Sequence, residues 1–214
     1  MLIHPWDAAL DEKEWQDWLD AHDFGELAVN GPPGQGPLVQ PLHFAYDHER
    51  REAVTHLARP NPLWAAVEAD PRVTLSVVGD HAFIPTYWTA PEGAHPDHGT
   101  ATSYYAAVQL SCLAHVVDDA REKSALLHRQ LAHFQPEGRY ARVAPGEAPY
   151  GRMLPGIRGL RLEVTEVRAK FKFAGNKSDG IRAGLAGHLT ERSGPGDSEA
   201  AAHMLRRHPV DGGD

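Results

Sequence analysis

The sequence predicts an α+β protein, a small antiparallel β-barrel of six or seven strands with peripheral helices and a helical C-terminal tail. Three observations lead to this prediction. Short runs rich in β-branched and aromatic residues recur along the chain, turns rich in Gly and Pro separate them, and two runs meet at a single polar turn, which implies antiparallel pairing. No Gly-x-Gly-x-x-Gly pattern follows a strand, so a dinucleotide-binding fold is not expected.

The N-terminal half of the chain predicts a helix followed by strands. Asp11 is a helix N-cap with Glu14 three residues later, and the amphipathic helix that follows runs to about His22. Residues 72–79 are the best candidate for a central strand, because the run is uniformly β-branched and apolar. The other predicted elements of this half are strands over 24–29, 38–46, 52–57 and 82–88, a hairpin turn over 47–51, a helix over 63–69 and a long surface loop over 89–100.

The C-terminal half predicts two long strands and three helices. A strand over 102–117 leads to a helix that is capped by Asp118 or Asp119 and ends near Phe134. In the strand over 159–173 the apolar positions change phase near Glu166, which predicts a β-bulge or bend. Two helices are expected at 178–192 and 198–207, separated by Gly and Pro.

Length and composition favour a single domain. The chain has 214 residues, of which 42% are hydrophobic and 23% charged, as in ordinary globular proteins. We expect residues 1–192 to form the domain and residues 193–214 a helical or flexible extension. Cys112 is the only cysteine, so no internal disulfide can form, and the first residues lack the features of a secretory signal. A cytoplasmic protein with a buried Cys112 is therefore expected.

The charge balance disfavours binding to DNA. The formal net charge is −8, whereas contacts to a phosphate backbone need clustered Lys and Arg. We expect the one short basic cluster, Arg206-Arg207-His208, to be a solvated helix end, and no helix-turn-helix signature is present.

The segment His56-Leu-Ala-Arg-Pro-Asn-Pro62 places basic and amide groups where a predicted strand meets a predicted helix. A guanidinium and free backbone N–H groups can converge on an anion there, which indicates a phosphate site at Arg59. The spacing alone is more typical of a surface Arg59 followed by a helix that begins at Asn61-Pro62.

The segment Lys170-Phe-Lys-Phe-Ala-Gly-Asn-Lys-Ser178 alternates basic and aromatic residues. Lys170 and Lys172 fall on one strand face and the two Phe residues on the other, before a helix cap at Ser178. This pattern suits a phosphate beside a planar ring. It is also typical of a barrel strand with Phe inside and Lys in water.

Other polar residues give no catalytic set. The fourteen histidines are scattered, and the ligand-like pair His95 and His98 lies in a loop without a cysteine or helix, so we expect no metal site. Asp80 and His81 are adjacent on a strand and point to opposite faces. Ser111 lacks the sequence context of a nucleophile. We therefore assign no catalytic residue.

Four segments in order carry a family resemblance: residues 56–64, then Gly79-Asp-His-Ala-Phe-Ile-Pro85 with Trp88, then Met153-Leu-Pro-Gly-Ile-Arg-Gly159, then residues 170–178 followed by Asp179 and Arg182. Together they resemble the PaiB family of FMN-binding negative transcriptional regulators, over the chain to about Leu189. The resemblance implies an FMN-binding split β-barrel that forms a homodimer and binds FMN between subunits, as in pyridoxamine-phosphate oxidase and flavin-reductase relatives.

The resemblance also implies site residues. It places Arg59 and Asn61 near the FMN phosphate and aligns His56, Leu57 and Ala58 along the ribityl chain. The family's second basic motif is matched by Lys170, Lys172 and Asn176, which are expected to complete the site. They would belong either to the same subunit as Arg59 or to the other subunit of the dimer. The chain departs from the family at Ser103-Tyr104-Tyr105 and Val108-Gln109, where a Trp-Asn-Tyr stretch and a Val-His pair are typical.

The function that the resemblance implies is FMN binding with a transcriptional-regulatory or redox-sensing role. One alternative is an FMN-dependent oxidoreductase, similar to flavin reductases or pyridoxamine-phosphate oxidase, with a substrate space lined by the loop over 89–100. Another is a haem-binding or cofactor-free protein on the same split barrel.

Overall fold

The computed structural model describes residues 1–207, and the last residue of the basic cluster, His208, lies outside them together with the end of the expected C-terminal extension. The strands are β1 (Phe24–Val29), β2 (Leu38–His43), β3 (Ala45–Asp47), β4 (Glu52–Ala58), β5 (Arg72–Ile84), β6 (Thr102–Val117) and β7 (Ile157–Lys172). The helices are α1 (Glu12–Asp20), α2 (Leu63–Ala69), α3 (Ala120–Phe134), α4 (Asp179–Arg192) and α5 (Asp197–Arg206).

The strands form one seven-stranded sheet in the order β2-β1-β5-β6-β7-β4-β3. β1 pairs antiparallel with β2 and β5, and β4 pairs antiparallel with β3 and β7. Strand β5 lies inside the sheet, as expected from its β-branched run, and Leu75 is fully buried. The α+β split-barrel prediction is confirmed.

The chain divides into two compact units. The first consists of Met1–Trp15, Val78–Val108 and the chain from Arg168 onward, and its core includes Ile84, Phe171 and Leu189. The second consists of Gln16–Val77 and Gln109–Val167, with Leu27, Val54 and Leu162 among its fully buried side chains. Helix α5 buries Ala200 and Met204 in the first unit. A domain boundary at residue 193 stays a prediction.

Local signals determine most helix starts. The Glu14 N–H donates to Asp11 Oδ1 at 2.8 Å, so Asp11 caps α1 as the sequence predicts, and Glu14 Oε2 accepts at 2.6 Å from the N–H of Leu10, one residue before the cap. Asp119 caps α3 by accepting from the N–H groups of Arg121 and Glu122. Ser178 precedes α4 as predicted, but its side chain makes no capping hydrogen bond.

Three predicted strands differ from the structure. The strand over 38–46 is broken at Phe44, whose side chain is buried and whose N–H donates to Asp23 O at 2.9 Å, so β2 pairs with β1 and only β3 forms the hairpin with β4. The strands over 72–79 and 82–88 are one continuous strand, β5, that ends before Pro85. Because proline has no N–H for the ladder, the chain continues there as a 3₁₀ turn over Thr86–Trp88.

The basic cluster at the C-terminus is not a solvated helix end. Arg207 is 3% exposed, and it donates to Ala8 O at 2.7 Å and to Glu14 Oε1 at 2.8 Å. Burial lowers the pKa of the Arg207 guanidinium, and the Glu14 carboxylate opposes that shift. The prediction was wrong because the partner of Arg207 comes from the opposite end of the chain.

Strand β7 shows the predicted change of phase. Leu160, Leu162 and Val164 are buried in its first half, and Phe171 and Phe173 are buried in the opposite phase beyond it.

Among residues 1–207, no helix combines the length and the apolar character that a membrane crossing requires.

Candidate functional site

The first predicted segment lies at the end of β4, in the second unit. His56, Leu57 and Ala58 pair with Gly159, Arg158 and Ile157 of β7. The fold therefore brings the segment at residues 56–64 beside the segment at residues 153–159, two of the four pieces that carry the family resemblance.

Arg59 is fixed along one edge of its guanidinium. Its Nε donates to Pro155 O at 2.8 Å, and one terminal nitrogen donates to Asp118 Oδ1 at 3.1 Å and approaches Ile157 O at 3.5 Å. The other terminal nitrogen makes no hydrogen bond to any described residue, and the side chain is 46% exposed. A guanidinium held in this way presents two N–H groups to a bound anion and loses less rotamer entropy on binding than an unconstrained one.

Further charged groups surround Arg59. Arg158 donates to Asp118 Oδ2 at 2.6 Å and to Glu68 Oε1 at 2.7 Å. Hydrogen bonds from Arg158 lower the pKa of Asp118, which stays a carboxylate shared by two guanidiniums.

Lys123 is buried, donates to Leu154 O at 2.6 Å and to Ile157 O at 3.1 Å, and has its pKa lowered by burial. The carbonyl groups of residues 154–157 thus orient both Lys123 and Arg59.

Asn61 has a structural task in addition to its predicted one. Its Oδ1 accepts from the Leu63 N–H at 2.9 Å and its Nδ2 donates to Gln40 Oε1 at 3.0 Å. These bonds start α2, as the alternative interpretation of Asn61-Pro62 expects, and leave one amide N–H for a ligand.

An apolar cavity of about 650 Å³ begins at His56 and Leu57 within the second unit. His56 Nδ1 lies 2.7 Å from Oε1 of Gln130, a buried residue of α3. The lining residues come from β1 and β2, from β4 and from α3: Phe24, Pro41, Leu42, His43, Thr55, His56, Leu57, Leu127, Gln130, Leu131 and Phe134.

The second predicted segment lies in the first unit. Lys170 is only 8% exposed, so its side chain does not lie in water. Its Nζ donates to Leu2 O at 2.8 Å and lies 3.7 Å from the buried Asp7 carboxyl. Burial raises the pKa of Asp7, and Lys170 opposes that shift. Lys172 Nζ donates to Thr102 Oγ1 at 2.8 Å.

Lys172 and Asn176 line a cavity of about 510 Å³ in the first unit, together with Trp6 and Tyr104. A side chain at Gly175 would put its Cβ 2.1 Å from Trp6 O, so this turn requires glycine. The two predicted segments belong to different units, and the structure groups His56 to Asn61 in one and Lys170 to Asn176 in the other.

Sequence reasoning missed Gln130, Asp118 and Lys123 as neighbours of the first segment. Each lies on or just before α3, more than 50 residues from β4, and no local pattern points to the contact. Asp80 accepts from buried His203 of α5 at 2.8 Å, a partner more than 120 residues away in sequence. Within residues 1–207 no group of three or more His, Cys, Asp or Glu side chains is arranged to bind a metal ion.

A family model described as "Putative FMN-binding domain" matches residues 1–166 of this chain. The Protease synthase and sporulation protein PAI 2 of Bacillus subtilis (strain 168) is 23% identical over 196 residues, which is 90% of each chain. The match of the family model ends before Lys170, Lys172 and Asn176.

Solved structures show the same fold. The flavocytochrome Anf3 from Azotobacter vinelandii gives a TM-score of 0.59 at 19% identity, over 78% of this chain and 70% of that one. The FAD and heme binding protein from Mycobacterium smegmatis gives 0.54 at 18% identity, over 77% and 72%. Because the family model covers most of the sequence and the fold agrees, this chain belongs to the PaiB-type family of FMN-binding domains, whose cofactor is FMN.

Proposed function

We propose that this protein binds FMN with the phosphate at Arg59 and uses the bound flavin in a regulatory or redox-sensing role. The observation that carries the proposal is the guanidinium of Arg59, fixed on one edge by Pro155 O and Asp118 and free on the other. Charge-assisted hydrogen bonds to phosphate are about twice as strong as neutral ones, and a fixed fork strengthens them further.

The residues around Arg59 fit the rest of the cofactor. The last residues of β4, His56 to Ala58, offer an extended stretch for the ribityl chain, and the spare amide N–H of Asn61 is a second donor for the phosphate. When bound, FMN supplies redox chemistry through its isoalloxazine ring. The chain contributes binding, orientation and exclusion of water, which agrees with the absence of an evident nucleophile or acid–base pair in the sequence.

Arg59→Gln tests the phosphate assignment directly. Titration of FMN fluorescence should show a Kd weakened roughly 10- to 150-fold, as expected for the loss of one charged partner worth about 1.5–3 kcal/mol. Arg72→Gln is the matched control, since Arg72 is exposed and its guanidinium forms an ion pair with Asp70. Equal FMN affinity in the Arg59 variant, the control and the wild type would refute the assignment.

The second basic group, Lys170, Lys172 and Asn176, is proposed to contribute to FMN binding as the family resemblance implies. The Lys170 ammonium is engaged by Leu2 O and Asp7, whereas Lys172 and Asn176 line a cavity, so we expect substitution of Lys172 to matter more for a ligand. We also propose that the protein is cytoplasmic and forms a homodimer. Light scattering coupled to gel filtration would test the homodimer.

The regulatory role rests on the family. The relative from Bacillus subtilis is named a protease synthase and sporulation protein, and that name applies to the relative alone. A gel-shift assay with the promoter region of this gene tests the role. The assay is done with protein that carries oxidised or reduced FMN and is repeated at several salt concentrations. A shift that depends on the flavin's redox state would support it, and no shift in either state would count against direct action on DNA.

An FMN-dependent oxidoreductase is the second candidate, and one observation favours it. Thr89 and Thr100, at the ends of the loop over 89–100, both line the cavity of the first unit. Thr89 Oγ1 donates to Thr100 O at 2.9 Å and accepts from the Thr100 N–H at 2.8 Å, which holds the two ends of the loop together beside a cavity of about 510 Å³. Turnover of NADH or NADPH by the flavin-loaded protein would support this candidate, and the absorption spectrum would reveal haem.

A further inference from the structure

The cavity of about 510 Å³ in the first unit carries more cationic than anionic side chains. Lys172 and Lys177 line it, and Asp7 is the one acidic residue among the described residues of the lining. The Asp7 carboxyl lies 3.7 Å from the Lys170 ammonium, which offsets its charge. The lining therefore favours an anionic ligand.

Two polar side chains of this lining are placed to donate hydrogen bonds. Thr102 Oγ1 accepts from the Lys172 ammonium at 2.8 Å and orients it, and an ammonium has two further N–H groups. Tyr104 is only 6% exposed and lines the cavity, and its hydroxyl makes no hydrogen bond to a described residue. Burial raises the pKa of this hydroxyl, so it keeps its proton near neutrality and can donate to an oxyanion.

Helix α4 begins at the same cavity. Asn176 and Lys177 precede the helix, and Ile181 of its first turn is a lining residue. Ser178 is the N-cap residue, but its side chain makes no capping hydrogen bond. The partial positive charge of an uncapped helix start adds to the charge of the two lysines.

The turn between β7 and α4 has an enforced backbone conformation. Ala174 lines the cavity with a φ of 57°, in the left-handed region that a residue with a Cβ seldom adopts. The next residue, Gly175, passes so close to Trp6 O that any Cβ would collide with it. Such conformations persist where the surrounding structure enforces them, often at ligand sites. This turn carries Asn176 and Lys177 to the cavity.

The rest of the lining suits an apolar or aromatic body. The half-buried Trp6 ring stacks on His4, with 4.7 Å between centroids and 9° between planes. Leu185 is buried, and Ile181, one turn before it, is 51% exposed although it is apolar. Flat ligands pack well against such surfaces, and a volume of about 510 Å³ lies within the range of about 300–1,000 Å³ that is usual for small-molecule sites.

We propose that this cavity binds a second small molecule, an aromatic or apolar body that carries a carboxylate or phosphate group, with the oxyanion at Lys172 and Tyr104. This ligand is additional to FMN, and for the oxidoreductase candidate it defines the class of substrate. Lys172 and Tyr104 contact the oxyanion, and Thr102 is a positioning residue for Lys172.

Calorimetric titration of benzoate and of phenyl phosphate into FMN-saturated protein tests this site. Each probe joins an aromatic ring to an oxyanion, and the tighter of the two identifies the group that the cavity prefers. Benzamide has the shape of benzoate without its charge. It should bind at least about 10-fold more weakly, because charge-assisted hydrogen bonds are roughly twice as strong as neutral ones.

Tyr104→Phe removes only the hydroxyl and should weaken the preferred anion roughly 2- to 12-fold, the effect of one hydrogen bond. Tyr105→Phe is the matched control, the same change at the next residue, which does not line the cavity. Lys172→Gln should weaken the anion about 10-fold or more and should abolish the preference for benzoate over benzamide. A structural defect alone would weaken both probes equally. FMN is kept saturating because substitution of Lys172 is also expected to weaken FMN.

Three results would overturn the proposal. They are no binding of either anion up to about 10 mM, benzamide affinity equal to that of benzoate, and anion affinities in Tyr104→Phe and Lys172→Gln equal to that of the control. Competition between benzoate and FMN would also overturn it, because the cavity would then belong to the cofactor. The titrations are repeated without FMN, so a protein that binds the anion but no FMN would refute the proposed function and leave this site supported.

Discussion

Glu52 connects three elements of the second unit, and its substitution should destabilise the protein. The side chain lies at the start of β4 and is only 7% exposed. Arg129 of α3 donates to one carboxylate oxygen at 2.6 Å, and Arg161 of β7 donates to the other at 2.6 Å. Helix α3, strand β7 and the start of strand β4 are therefore joined through one carboxylate.

The magnitude follows from the exposure of the two partners. Breaking a fully buried ion pair costs about 3–5 kcal/mol. Here the arginine side chains are 26% and 45% exposed, so water can solvate them after the change. We expect Glu52→Gln to lower the free energy of unfolding by about 2–3 kcal/mol, which for a chain of this size lowers the Tm by roughly 5–10 °C.

The effect should depend on pH in a defined direction. Burial acts to raise the pKa of Glu52, but hydrogen bonds from Arg129 and Arg161 outweigh it, and the pKa is lowered. A carboxyl with a lowered folded-state pKa stabilises above its ordinary value of about 4.3, and this contribution is lost as the pH falls through the folded-state pKa. The stability difference between wild type and Glu52→Gln should therefore be full near neutrality and shrink in acid.

Urea denaturation followed by tryptophan fluorescence, repeated from pH 7 down to pH 3, measures both effects. Glu163→Gln is the matched control, because Glu163 is opposite Glu52 in the β4–β7 register, but its side chain is 59% exposed and forms an ion pair with His115. A Glu52 variant as stable as the control at pH 7, or a difference that does not change with pH, would refute the reasoning.

Four further predictions concern the first unit and Cys112. Arg207→Met should destabilise the protein by about 2–4 kcal/mol, because it leaves the Glu14 carboxylate without its partner, whereas Arg206→Met should cost far less; thermal unfolding distinguishes them. Gly175→Ala should lower the Tm by several degrees, since its Cβ would lie 2.1 Å from Trp6 O, while Gly180→Ala meets no atom within 4 Å and should be neutral or stabilising in the same assay. Lys172→Met should weaken FMN binding severalfold in fluorescence titration and Lys177→Met less, because only the Lys172 ammonium is oriented by Thr102 Oγ1 at 2.8 Å. Burial raises the pKa of Cys112 to about 12, so a thiol reagent at pH 8 should label the native protein far more slowly than the urea-unfolded one, and equal rates would contradict that burial.

The sequence predicts elements well where a local signal decides them. Helices α1, α2 and α3 begin where Asp11, Asn61 and Asp119 supply a cap or a start, and the β-branched run of β5 is inside the sheet as expected. Such residues act on backbone groups two or three positions away, so their effect is visible in the sequence itself.

Elements and contacts decided by distant residues were not predictable. The break at Phe44 depends on a bond to Asp23 O, and the burial of Arg207 depends on Glu14, nearly the whole chain away. Spacing alone presents Lys170 as a solvated residue of an amphipathic strand, yet Leu2 O and Asp7 hold it in the interior. In each case a partner that no sequence window contains determines the conformation.

The site shows how the two kinds of information combine. The segment at residues 56–64 is recognisable because its basic and amide residues lie close together in sequence, but β7 and α3 decide which of its groups stay available to a ligand. Pro155 O and Asp118 satisfy one edge of Arg59, and His56 satisfies the oxygen of Gln130. What remains at this segment is the other edge of the Arg59 guanidinium and one amide N–H of Asn61. If the FMN phosphate lies there, substitution of Arg59 should weaken FMN far more than riboflavin, which lacks the phosphate, since both donors would act on the phosphate alone.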